Sequence, residues 1–310
     1  SLLKEQLNEY PLDALMLRLA NRLYMLGCSG AGVTNFPNEL FALLQGIESD
    51  YGNDWAFQGQ YAFAHHEMGM LSESLDLAEK SLLSRPTSGW ASHSVAHVYF
   101  ETGNHITGGE FLGSWLEGYD KRAPFHVHLS WHQALFELAQ GRHANATRIY
   151  EEDIRPSVKE RSAMSLQDSA SLAWRMKIYE GYNPSFNVEE IKDQAAPAAD
   201  TPGPAFRDAH AALAFCVAGN TELSNKLTSR LIELSNTGDS LVREITLPLV
   251  RGIDAFASKS YDDAVNYLEP VFPQLARIGG SHAQREVFED TLLAAYLFSG
   301  QYEKGQEMLD

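Results

Sequence analysis

Eleven histidines are spread through this 310-residue chain, and several stand at spacings that could do chemistry. His93 and His97 lie four apart, and His128 and His132 repeat the interval. Residues four apart share one face of a helix, so each pair presents two imidazoles side by side. Such pairs suit general acid–base work or the grip of a transition-metal ion. No HExxH sequence accompanies them, and HxxxH pairs also arise where histidines pack beside tryptophans such as Trp90 and Trp131. The sequence therefore assigns no metal and leaves any cofactor open. His93, His97, His128 and His132 are the residues a metal would use.

Further polar residues fall in register with these four. A glycine recurs at the end of each apolar helical stretch, and distance back from it gives a bearing around the helix at ~100° per residue. His93 and His97 lie 10 and 6 residues before Gly103, and His128 and His132 lie 13 and 9 before Gly141. His210 is 9 before Gly219, and His66 is 3 before Gly69. Asp168, Ser171 and Arg175 stand 13, 10 and 6 before Gly181, and Asp290 stands 10 before Gly300. All these bearings fall within an arc of roughly 120°. Asp168, Ser171 and Arg175 would serve equally as a network stitching two helices together. Ala62 and Ala96 point elsewhere, toward a neighbouring helix.

A second candidate is RIGGSHAQREVFEDTLL, residues 277–293. Gly279 and Gly280 break one helix and Ser281 can cap the next, where free backbone N–H groups could hold an anion. His282, Gln284 and Arg285 would add donors there. An ordinary capped helix start explains the same residues.

The elements that must position these side chains are paired helices. An apolar helix, a glycine, a small or aromatic residue and a second apolar helix recur along the chain. YAFAHHEMGMLSESLDLAEKSLLSRP and WASHSVAHVYFETGNHITGGEFLGSWL match most closely. Their pivots, Gly69 and Gly103, are 34 residues apart, the tetratricopeptide period. Gly141, Gly181, Gly219 and Gly300 pivot later copies, Ser258-Lys259 replaces one glycine, and Gly27 marks a degenerate early copy. Alternating strand patterns do not occur. The expected fold is all-α, an α-α superhelix of tetratricopeptide-like hairpins forming one domain over 1–310. Residues 28–38 and, with four prolines, 183–206 read as loops.

Composition narrows the partners. Lys plus Arg number 24 against 41 Asp plus Glu, and a net charge of −17 repels phosphate backbones, so nucleic acid is not expected. The two cysteines, Cys28 and Cys216, are too few for a disulfide framework and suit a reducing, cytoplasmic setting. No apolar run reaches the ~20 residues that span a bilayer, so no membrane role is expected. P-loop, Rossmann and GxSxG sequences are missing.

HSVAHVYFETGN, HLSWHQALFELAQGRHANATRIYEEDI, DSASLAWRM, DAHAALAFCVAGN and RIGGSHAQREVFEDTLLAA together resemble the tetratricopeptide repeat protein 38 family, in order from about residue 11 to the C-terminus. His93, His97, His132, Asp168, Ser171, His210, Gln284 and Arg285 match its pattern, whereas Asn21 stands where relatives would carry histidine. The resemblance implies a helical-repeat solenoid whose first helices line a concave face, and relatives extended at the N-terminus. It implies no particular chemistry.

These features predict a binding protein that takes a small molecule or short peptide in a polar, His-rich concave cavity. An enzyme using the same histidines as acid/base groups or metal ligands is the alternative, with Arg285 holding a substrate carboxylate. A third reading is an assembly module or homo-oligomer, since the apolar stretch LMLRLANRLYML at 15–26 needs a cover.

Overall fold

The computed structural model describes residues 2–26, 35–162, 164–179 and 184–309, and its regular elements are all helices. The first half holds α1 (Leu2–Glu9), α2 (Ala14–Leu26), α3 (Phe36–Tyr51), α4 (Trp55–Glu67), α5 (Leu71–Ser84), α6 (Gly89–Glu101), α7 (His105–Glu117), α8 (His126–Ala139) and α9 (His143–Ile149). The second holds α10 (Arg155–Lys159), α11 (Ser165–Ile178), α12 (Val188–Asp200), α13 (Ala205–Val217), α14 (Thr221–Asn236), α15 (Leu247–Ala257), α16 (Tyr261–Leu268), α17 (His282–Phe298) and α18 (Tyr302–Leu309). Gly27, Cys28 and Gly181 lie outside the described residues.

Seven consecutive pairs are joined by three residues each, and six of them share one turn geometry: α4–α5, α6–α7, α8–α9, α13–α14, α15–α16 and α17–α18. So short a link folds the second helix back on the first. The middle linker residue is Gly69, Gly103, Gly141, Gly219 or Gly300 in five pairs, with φ between +67° and +79°. The next residue returns its N–H to the carbonyl five positions earlier, as in Met70 to His65 and Gln301 to Tyr296. This is the helix-ending arrangement that favours glycine. In the sixth pair Lys259 takes φ +63°, and Ser260 still donates to the Ala255 carbonyl at 2.9 Å. The turn geometry thus persists where the glycine signature has gone.

Each helix packs mainly on its neighbours in sequence. Small residues permit the closest approaches: Ala62, Ala78 and Ala91 pack with Val95, and Ala96 packs with Leu112, Leu129 and Phe136. One large core runs from Val127 to Tyr296, and a smaller one joins α1 to α4 around Leu44 and Phe57. Helix α17 also reaches far back in sequence to touch α6 and α11. Among the described helices none is long and apolar enough to cross a membrane.

Two expected loops are partly helical. Residues 183–206 contain α12, because Asn187 caps its start by accepting from the Glu189 N–H and Glu189 and Glu190 sit in its first turn. Ile191, Ala195, Ala198 and Ala199 then form a buried stripe. Pro197 removes one internal hydrogen bond, and burial of that stripe offsets the loss. Pro202 and Pro204 follow the helix end. In the other segment α3 begins at Phe36, with Pro37 in the first turn, where a missing N–H is harmless. The 15–26 stretch buries Leu17, Ala20 and Asn21 but leaves Leu15, Leu19 and Leu23 at least 41% exposed.

Lys259→Gly tests the turn argument. The lysine holds a left-handed conformation that a Cβ disfavours. The substitution is expected to stabilise the fold by about 0.5–1 kcal/mol, read as a higher urea midpoint at unchanged slope. An unchanged or lower midpoint would show that the turn is not strained.

Candidate functional site

The first helices α4, α6, α8 and α11 bring their polar faces together. His93 and His97 come from α6, His128 and His132 from α8, Asp168 from α11, and His66 from the end of α4. All six side chains are buried, with His97 and His132 fully so. Phe63, Trp90, Phe125 and Trp131 wall the rings in.

The four histidines of α6 and α8 offer ligand nitrogens that all lie within 4.8 Å of one another. His93 Nε2 is 3.0 Å from His128 Nε2 and 3.0 Å from His97 Nε2. Behind this contact His128 Nδ1 faces both Asp168 oxygens, at 3.0 and 3.1 Å. A carboxylate only accepts, so His128 Nδ1 carries the proton and donates it. A ring that carries its one proton at Nδ1 turns a lone pair toward His93 Nε2.

The two contacts of His93 place conflicting demands on its proton. Its Nε2 carries at most one hydrogen, directed at one of two nitrogens that are equally close. If it donates to His128, it has no lone pair for His97. If it accepts from His97, two lone pairs face each other across the His128 contact. Nδ1 of His93, Nδ1 of His97 and both nitrogens of His132 are buried with no hydrogen-bond partner. Added protons do not resolve this. Burial and the neighbouring imidazoles hold His93, His97 and His132 well below the usual histidine range.

An acidic group borders the cluster. His66, His97 and Glu101 also bring ligand atoms within 4.8 Å. Burial works against charge on His66, but the carboxylates of Glu101 and Glu67 outweigh it and raise its pKa. His66 lies 3.3 Å from Glu67 and 3.6 Å from Glu101. Glu101 also accepts from His282 Nδ1 at 2.8 Å, which ties α17 to α6 across 181 residues. Glu101 and Glu289 push the pKa of His282 up to about 10. Burial opposes ionisation of Glu101, yet His282 and His66 bring it down to about 2.

The remaining expected residues divide into other roles. Ser171 accepts from Trp131 Nε1 at 3.0 Å and so fixes the indole beside His128. Arg175 points into α17, where it donates to Asp290 at 3.2 Å, to the Ala283 carbonyl at 2.9 Å and to Glu286 at 3.3 Å. His210 stands apart from the four-histidine cluster, between Phe206 and Phe288, with Nδ1 on the Phe206 carbonyl at 2.7 Å. Burial brings its pKa down to about 4.

At the start of α17 the Ser281 N–H donates to Gln284 Oε1 at 3.1 Å. Arg285 donates to the Gly280 carbonyl, among the carboxylates of Glu67, Glu101 and Glu289. Those three acids disfavour an anion at this turn. Asn21 donates to the Leu17 carbonyl and to Gln60, a structural role.

Several residues of the site escaped the sequence reading. Glu101 is four after His97 and Glu286 four before Asp290, so the same helical arithmetic places both on the polar face. Tyr179, which donates to Asp290 at 2.8 Å, has no comparable signal. No protein-family model matches the chain.

The Glu101–His282 tie predicts a pH signature. The raised His282 pKa gives stability that is complete below about 6.5 and is lost as pH rises through about 10. The lowered Glu101 pKa gives stability that is complete above about 4.5 and is lost as pH falls through about 2. His282→Ala should therefore lower the melting temperature most between pH 4.5 and 6.5. The difference from the unaltered protein should shrink toward pH 10, and a difference independent of pH would remove the ion pair from the account.

Proposed function

We propose that this is a helical-repeat metal protein in which His93, His97, His128 and His132 hold one divalent first-row transition-metal ion. The observation that carries the reading is the conflict around His93. Its Nε2 lies 3.0 Å from two other imidazole nitrogens, and one proton cannot serve both contacts. A cation at the centre accepts every lone pair at once. Asp168 on His128 Nδ1 is the partner a metal-bound histidine usually has, fixing the tautomer and making the ring a better donor. An all-imidazole set suits zinc, iron, nickel or copper rather than magnesium or calcium.

Two of the nitrogen–nitrogen contacts are 3.0 Å, close enough for one ion to take both nitrogens.

The architecture in this reading is a tetratricopeptide-type solenoid with first helices on its inner side, as in the family the sequence resembles. Six three-residue turns of one geometry and the convergence of α4, α6, α8 and α11 support it. The −17 charge supports a non-nucleic-acid partner, and the two cysteines support a cytoplasmic setting. The exposed leucines of α2 support a covering segment or a second copy.

Protein prepared without a chelator or polyhistidine tag should carry about one equivalent of a transition metal. His97→Ala combined with His132→Ala should abolish binding. Asp168→Asn should weaken it about 10–100-fold while leaving the four ligands in place. Failure to take up zinc, iron, nickel or copper on reconstitution would return the cluster to a packing role.

A further inference from the structure

A cavity of about 160 Å³ lies where α6, α7, α8, α11 and α17 meet, and none of the four proposed metal ligands lines it. Phe100, Leu135, Leu138 and Ala139 give it apolar walls, and His105, Arg175, Tyr179 and Glu286 supply its polar groups. Ala139 is exposed and stands at the mouth. A cavity on the order of 150 Å³ accommodates one six-membered ring.

The polar end is incompletely satisfied. Arg175 is 1% exposed. Its Nε and Nη2 serve Asp290, Glu286 and the Ala283 carbonyl, while Nη1 is buried with no hydrogen-bond partner. A guanidinium nitrogen only donates, so what completes it must be an acceptor. The local charge decides which kind. One guanidinium already faces two carboxyl groups, Asp290 at 3.2 Å and Glu286 at 3.3 Å. No spare positive charge remains for a third.

We propose that this cavity binds a small uncharged molecule with an apolar body and one carbonyl oxygen, an amide, ketone or ester, whose oxygen accepts from Arg175 Nη1. The body lies against Phe100, Leu135 and Leu138. Binding here does not require the metal, so the two readings fail separately.

Benzamide is a suitable probe, titrated into the intact protein while the Leu135 and Leu138 methyl resonances are followed. The titration is run on both chelator-treated and metal-supplemented protein. A saturable shift at both leucines is expected in each, with contacts from the ring protons to those methyls. Toluene should bind about tenfold more weakly, for want of a hydrogen bond to a charged donor. Benzoate should bind at least about tenfold more weakly, because its charge meets Glu286 and Asp290. Ala139→Trp should close the mouth and remove the shift. Equal binding of toluene would overturn the role of Arg175, and equal or tighter binding of benzoate would overturn the choice of a neutral ligand. Absence of any saturable shift would overturn the site itself.

Discussion

Four imidazoles packed away from water each need a partner for every nitrogen they bury, and the helices that meet around them leave four of those nitrogens without a hydrogen bond. An unpaired buried polar group costs about 1–3 kcal/mol, and several together would offset much of a domain's net stability. Asp168 meets the requirement for one nitrogen of His128 and thereby sets the direction in which that ring can act. His93, between His97 and His128, inherits the conflict. A buried cation is the one kind of partner that draws several lone pairs to a single point. With a cation at the centre, as proposed, the same rings would serve as its ligands.

The surrounding packing has two tasks, bringing the helices close and keeping the rings upright. Alanines at positions 62, 78, 91 and 96 let helices approach without side chains between them. Trp131, held by Ser171, lies flat beside His128, and Phe63 stacks on His93. Arg175 anchors α11 to α17 from the other side through Asp290, Glu286 and a backbone carbonyl. That arginine keeps one donor without a hydrogen-bond partner and is among the residues that line the cavity. A polar network inside a low-dielectric interior is thus used twice, once to orient rings and once to leave a donor available.

Contacts between distant parts of the chain complete the enclosure. His282 on α17 meets Glu101 on α6, and Gly280 and Ser281 lie beside Phe36 and Phe63 from the first half. These ties place an acidic rim next to the histidines. The same rim explains why Arg285, which reads in the sequence as an anion holder, is committed to the Gly280 carbonyl among three glutamates.

Much of this was determined by the sequence alone. Helical periodicity placed six histidines, Asp168, Ser171, Arg175 and Asp290 in one arc, because 3.6 residues per turn is a property of the backbone and needs no partner. The turn glycines were legible for a similar reason, since φ > 0 is a local demand. The α12 helix was harder to read, because burial and neighbouring helices there outweigh local preference. Which residues of the arc meet was decided only by the tertiary structure. His93, His97, His128 and His132 come together, while His210 joins two phenylalanines and Arg175 turns to α17. A bearing around one helix says which way a side chain points. The distance to a nitrogen on the next helix depends on how closely the two backbones pack, and small residues scattered through the whole chain set that spacing.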